Sequence, residues 1–146
     1  MTEALDDLEL VPPGALRDRL VSAVLRGVKT ATSRLAVLDE MTGTPAEPPG
    51  TRLRLLDSAG NAVAVVEIAD SRVIPLGLVG DDVAAAEGDW FENAAAWRVA
   101  HERFWTSCLD DIHAFTGDAS WAIDDASPVV VRFFEVIEVN GAGRAA

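Results

Sequence analysis

Lysine is nearly missing from this 146-residue sequence: Lys29 stands alone beside eleven arginines. A lone lysine invites a chemical reading. Its compact ammonium gives up a proton when desolvated, whereas arginine keeps its charge at any accessible pH. The plain alternative is a leftover residue in an Arg-, Ala- and Val-rich composition. Cysteine is also down to one residue, Cys108. That excludes an intrachain disulfide and a cysteine-based structural zinc site. Positive charge is scarce, with 12 basic against 24 acidic residues and a net charge of −12. A broad, nonspecific nucleic-acid coat is therefore excluded, because phosphate binding needs basic surface. A small basic cleft on an acidic body is not excluded: Arg26, Lys29 and Arg34 cluster, and Arg52 and Arg54 follow. The two histidines, His101 and His113, have no carboxylates at ligand spacing, so no metal ligands are assigned. No apolar run approaches transmembrane length, and the acidic start "MTEALDDLELV" does not read as a signal peptide. A soluble, cytoplasmic chain without membrane or disulfide partners is expected; its oligomeric state is not legible.

What is present reads as one domain. Residues 1–14 read as a frayed acidic leader ending near Pro12-Pro13, residues 15–139 as the domain, and residues 140–146 as a flexible tail. Residues 15–26, "ALRDRLVSAVLR", read as a helix with Leu16, Leu20, Val24, Val21 and Leu25 on one stripe. Gly27 sits where a helix C-terminal cap belongs. Residues 39–50 hold three prolines and two glycines and read as a mobile loop bordering a cleft. "TRLRLL" and "AVAVVEI" read as a hairpin around "DSAGN", the second strand running on towards Pro75. Residues 81–86 suit a short helix, and 93–108 a longer one capped by Asn93, with Ala94, Trp97, His101, Phe104 and Cys108 on its inner stripe. Residues 109–127 read as irregular, with Trp121 against the core. "VVVRFFEVIEV" reads as a closing strand whose alternation slips at Phe133-Phe134. The pattern is α+β, with an antiparallel sheet or small barrel favoured over a doubly wound fold.

The stretch Gly27–Arg34, "GVKTATSR", resembles the G-x-K-x-x-T-x-R signature of the ASCH domain family, part of the PUA-like group of small β-barrels. The Pro-rich loop ending at Gly50, the "LRLLDSAGNAVAVVEI" hairpin, "AAAEGDW", "WRVAHERFW" and the closing strand fit the same family, over about residues 15–139. The resemblance implies a PUA-like mixed or antiparallel β-barrel with flanking helices. It implies a cleft between the motif segment and the face near Glu87, and a link to RNA or modified nucleosides. Among members that are amidohydrolases, a Lys, a Thr and a Glu carry catalysis. The signature places these on Lys29 and Thr32, and the A-x-x-E segment Ala84–Glu87 places the third on Glu87.

Amide hydrolysis needs an activated nucleophile, a proton donor for the leaving amine and donors for the oxyanion. A Lys29 crowded by Arg26 or Arg34 can fall to a pKa where it takes the proton of Thr32. On an extended strand, residues 29 and 32 face opposite ways, so they converge only if the chain turns after Gly27. Arg34 suits a phosphate, a base carbonyl or an acidic partner in the fold. Trp90, beside Glu87, suits a stacked base or a lid. Arg26, Gly27 and Ser127 complete the expected substrate-binding set. Trp97, Phe104 and Trp105 suit the core, and His101 suits a satisfied half-buried position. Three readings stay open. One is a hydrolase acting on a modified cytidine such as N-acetylcytidine, without a cofactor. The second is a ribonuclease acting on single-stranded RNA, for which a divalent ion would serve. The third is a non-catalytic RNA-binding module.

Overall fold

The structure, a computed structural model, describes residues 5–44 and 47–139. The expected tail at 140–146, the first four residues of the leader and Pro45-Ala46 of the loop lie outside the described residues. Strand β1 (Asp6–Leu8) leads into helix α1 (Ala15–Leu25), β2 (Ala31–Leu35) and α2 (Ala36–Thr42). The hairpin β3 (Arg52–Leu56) and β4 (Ala62–Pro75) follows, then a single 3-10 turn at Leu76–Leu78. Helices α3 (Asp81–Ala86), α4 (Ala94–Thr106) and α5 (Leu109–Thr116) precede the last strand, β5 (Pro128–Val139). The sheet order is β1-β3-β4-β5-β2. Every pairing is antiparallel except β1 with β3, so this is the mixed, mainly antiparallel sheet with flanking helices expected of the PUA-like group. The ladder stays open among the described residues, with β1 and β2 as its edges.

Three expectations are corrected. The leader is not wholly frayed, because β1 pairs in parallel with β3, Asp6 opposite Leu53. Arg17, buried on α1, holds that segment down by donating to the Val11 and Asp57 carbonyls and to Glu9. Residues 39–42 belong to α2, whose end is marked by Gly43 at φ 68°. Glu47 then anchors the shortened loop: Arg132 donates to its carboxylate and Ser71 to its carbonyl. Residues 109–116, read as irregular, form α5, closed by Gly117 at φ 69°. Trp121 does pack against the core there, as expected.

Two apolar cores fill the molecule. One gathers Val21 and Val24 of α1 against β3, β4 and Phe134. The larger joins Ala31, Leu35, Val129 and Val131 to the helices through Trp97, Trp105 and Ile112. Helix α4 buries Trp97 and Trp105, four positions either side of His101, while Phe104 is 46% exposed and not a core residue. Asn93 caps α4 as expected, accepting from the Ala96 amide. The slip at Phe133-Phe134 is a register shift against Ile68 and Asp70, with Ala69 of β4 the extra residue.

The exit from α1 decides where the motif goes. Gly27 adopts φ 76°, and the amides of Val28 and Lys29 both donate to the Ala23 carbonyl, so the chain turns before β2 begins. A β-branched residue meets no neighbour there but is strained by the backbone conformation itself. Gly27→Val is therefore expected to lower stability by roughly 1 kcal/mol or more, and Gly27→Asn by less, as read from urea unfolding. Equal stability of Val, Asn and Gly at this position would contradict that assignment.

Candidate functional site

The turn at Gly27 delivers Lys29 into the protein interior, where it is 3% exposed. Its ammonium donates at 2.7 Å to the Ala31 carbonyl, at 3.5 Å to the Glu87 carbonyl and at 3.3 Å to Glu87 Oε1. Glu87 ends α3 and is 4% exposed. The next residue, Gly88, has φ 139°, and a Cβ on it would lie 1.7 Å from Cζ3 of Trp90. Glycine is thus required after Glu87 for the Trp90 ring to lie against the chain. The two segments are further tied by the Thr30 amide, which donates to the Ala86 carbonyl at 2.7 Å.

Glu87 is the centre of the cluster. Its Oε2 accepts from Ser33 Oγ at 2.5 Å and from Trp97 Nε1 at 2.7 Å. Its Oε1 lies 3.3 Å from both Lys29 Nζ and His101 Nε2. His101 stacks on Trp97 with ring centroids 4.2 Å apart, and its Nδ1 sits 2.8 Å from the Trp97 carbonyl. Burial pushes the Glu87 carboxyl up, but His101, Lys29 and Ser33 together outweigh it and hold it down at about 2. Burial pushes Lys29 down, and Glu87 only partly offsets this. The carboxylate is the fixed charge of the pair; the ammonium is the partner whose proton is loosened. The expected levers, Arg26 and Arg34, are not the cause: Arg26 is exposed at the end of α1, and Arg34 pairs elsewhere.

The structure brings together two of the three expected catalytic residues, Lys29 and Glu87, and leaves Thr32 apart from them. Strand β2 alternates, so Ala31, Ser33 and Leu35 face the helices while Thr32 and Arg34 face the other way. Thr32 stands opposite Arg132, and Arg34 lies 3.5 Å from Asp39. Of the expected binding residues, Gly27 lines a cavity of ≈210 Å³ with Lys29 and Thr30. Trp90 is 41% exposed beside Gly88. Ser127 is buried in a turn, where its hydroxyl accepts from the Asp124 amide, so it does not join the cluster. Sequence reasoning missed Ser33 and the Nε1 of Trp97. The parity of Ala31, Ser33 and Leu35 was the available signal for the first. Among the described residues, no group of three or more His, Cys, Asp or Glu is placed to hold a metal ion. No helix among them is long and apolar enough to cross a membrane.

A family model described as the ASCH domain matches residues 10–138, and the chain belongs to that family. Its fold is similar to that of protein EF3133 from Enterococcus faecalis V583, with a TM-score of 0.78 and 19% identity, covering 100% of this chain and 83% of that one. It is similar to the same degree, TM-score 0.78 at 18% identity, to the ASCH domain from Lactobacillus crispatus JV V101, covering 92% and 80%. A search of curated proteins finds no match.

The ionised Glu87 makes a testable contribution to stability. Its folded pKa of about 2 lies below its ordinary value of 4.5, so between those values the unfolded chain binds more protons. The contribution, on the order of 3 kcal/mol, is present above pH 4.5 and is lost as pH falls towards 2. Acid titration of unfolding free energy should show this limb in the wild type and a shallower one in Glu87→Gln. Identical limbs would mean that the carboxylate is not held as described.

Proposed function

We propose that this ASCH-domain protein is a hydrolase acting on RNA or a modified nucleoside, with Lys29 and Glu87 as its charged centre and Ser33 as its nucleophile. N-acetylated cytidine is the substrate class whose chemistry the groups suit. One observation carries the reading: the Ser33 hydroxyl donates at 2.5 Å to a carboxylate that also holds a buried ammonium with a loosened proton. Desolvated charge of this kind costs stability and concentrates at functional sites. Ser33 and His101 are only half-buried, and they give the cluster its access to solvent.

The chemistry runs through a relay. With Lys29 neutral, the Ser33 proton passes to the ionised Glu87 carboxylate and from that carboxyl on to Lys29 Nζ, which leaves Glu87 ionised again, so the net transfer is from Ser33 to Lys29. The Ser33 oxygen adds to the acyl carbon. The C–N bond then breaks, and the leaving nitrogen takes back the proton by the same route. Water hydrolyses the resulting ester, releasing the acid and restoring Ser33. In this scheme Ser33 takes the role that the family signature gives to Thr32.

A second reading, binding of RNA without turnover, is favoured by the saturation of the pair: all three Lys29 donors and both Glu87 oxygens are already engaged. A metal-assisted ribonuclease is the remaining alternative. Mass spectrometry of products from N-acetylcytidine, and separately from single-stranded RNA, decides among the three. Deacetylation by the wild type is expected. Ser33→Ala should lose it by roughly a hundredfold or more, while melting shifts little because one half-buried hydroxyl is removed. Lys29→Arg should also lose it, since arginine cannot act as a base at neutral pH. Full activity of Ser33→Ala would exclude Ser33 as nucleophile. No product from either substrate, with salt-dependent RNA binding, would establish the binding reading.

A further inference from the structure

Strand β5 has a neighbour on both sides along only part of its length. Strand β4 accompanies it to Val139, whereas the last β2 pair is Ala31 with Phe133. One more bond, from the Phe134 amide to the Thr30 carbonyl, closes that side. On the N-terminal side of Thr30 the chain leaves the sheet for α1, so among the described residues no strand lies beside Glu135–Val139 there. Strand parity places unpaired backbone groups in the vacancy. Phe134 turns its amide towards β2, so Val136, two residues on, turns its amide and carbonyl the same way, where no strand receives them. The Thr30 amide is taken by the Ala86 carbonyl and does not serve the carbonyl of Phe134. An edge of this kind is a template for another strand.

The two faces beside this edge differ in chemistry. On the face turned to α1, Phe134 and Val136 join Val24 and Leu25 around the cavity of ≈210 Å³. Leu25 is exposed there, and so is Val139, whose partner Ala64 belongs to the same core. On the outer face the ladder carries charge. Arg52 stands opposite Glu67, and Glu67 stands directly opposite Glu135. Arg52 pairs with Glu67 at 3.2 Å, and among the described residues no cation pairs with Glu135. Like charges directly opposite one another destabilise a sheet. The next rung runs Asp7, Arg54, Val65, Glu138. Arg54 pairs with Asp7, and among the described residues Glu138 too has no cation. Both acids are exposed on the last strand before the vacancy. Because the register shifts at Ile137, they lie opposite Glu67 and Val65, two residues apart on β4. A regular strand on the free side therefore also meets them with residues two apart.

We propose that this edge of β5 docks an extended segment of a partner protein with the pattern basic–apolar–basic. The segment adds a strand to the sheet, its backbone bonded to Val136. Its two basic side chains stand opposite Glu135 and Glu138, and the apolar residue between them enters the cavity beside Val24 and Leu25. Strand β3 shows that this pattern suits the sheet: Arg52 and Arg54 are exposed on the outer face, and Leu53 is buried on the face of α1. A second copy of the chain fits less well, because pairing two β5 edges sets Glu135 and Glu138 of both copies against one another.

The probe is a peptide with blocked ends and the sequence TRLRLL, that of residues 51–56, added to the full chain while amide hydrogen exchange is followed by NMR. The Val136 amide should exchange fast in the free protein and slow by roughly tenfold or more with the peptide. The Glu135 amide, turned towards β4, should be slow in both. The peptide TELELL should bind roughly tenfold more weakly. Glu135→Lys should weaken TRLRLL binding by about threefold or more, yet raise the melting temperature because it relieves Glu67. A TRLRLL peptide N-methylated at the leucine between its arginines tests the edge without altering the protein, and it should not bind. Equal binding of TRLRLL and TELELL, binding that leaves Val136 exchange unchanged, or no binding at all would overturn the proposal. So would a Val136 amide already protected in the free chain, which would mean that a second copy or another part of the chain fills the edge.

Discussion

The joint between α1, β2, α3 and α4 is a buried ion pair, and much of the local architecture exists to make it tolerable. Removing an ammonium and a carboxylate from water costs more than their mutual attraction returns unless the remaining donors and acceptors are filled. Here they are filled: three oxygens surround the ammonium, and Ser33, Trp97, His101 and Lys29 surround the carboxylate. This also explains on packing grounds why the residue is lysine. Three separate oxygens match the three donors of a compact ammonium, whereas the planar fork of arginine is shaped for one flat acceptor. The packing reason and the catalytic reason are compatible, because a tightly packed, desolvated ammonium is also one with a loosened proton.

Strand pleat then divides the family signature between two faces. Lys29 enters from the turn at Gly27, and Ser33 from the helix-facing side of β2, both ending at Glu87. Thr32 and Arg34 face the opposite side, where Arg132 and Asp39 lie. A motif read as one catalytic string is therefore two sets of side chains on one strand, separated by the thickness of a sheet. Neighbours in sequence can serve different chemistry because successive residues of a strand point in opposite directions.

The same rule explains what the sequence disclosed and what it hid. Gly27, Asn93 and the "DSAGN" turn were legible because each carries a local signal: a left-handed backbone, a capping side chain, an Asx-type turn closed by Asp57. The strands 62–75 and 128–139 were legible from apolar runs. Helix α5 was missed because it is only eight residues long and Ile112 is its one buried residue, although Asp110, Asp111 and Gly117 marked its two ends. Strand β1 is too short and acidic to read as a strand, and it depends on β3 and on Arg17 for its place. The Lys29–Glu87 half of the site was legible through the family signature. Ser33 was given no role, and Trp97 and His101 were read only as core and half-buried residues, since their convergence on one carboxylate follows from how α4 packs beside β2.

The charge balance completes the argument about what this surface can engage. A net charge of −12 would repel a long polyanion unless arginines formed an unpaired track. Most of the eleven are already engaged: Arg17, Arg34, Arg52, Arg54, Arg72, Arg98 and Arg132 each lie within ion-pair distance of an acid. A phosphate would have to displace a resident carboxylate to reach most of them, which removes much of the gain from counterion release. The charge distribution thus weighs against an extended nucleic acid held mainly through its backbone.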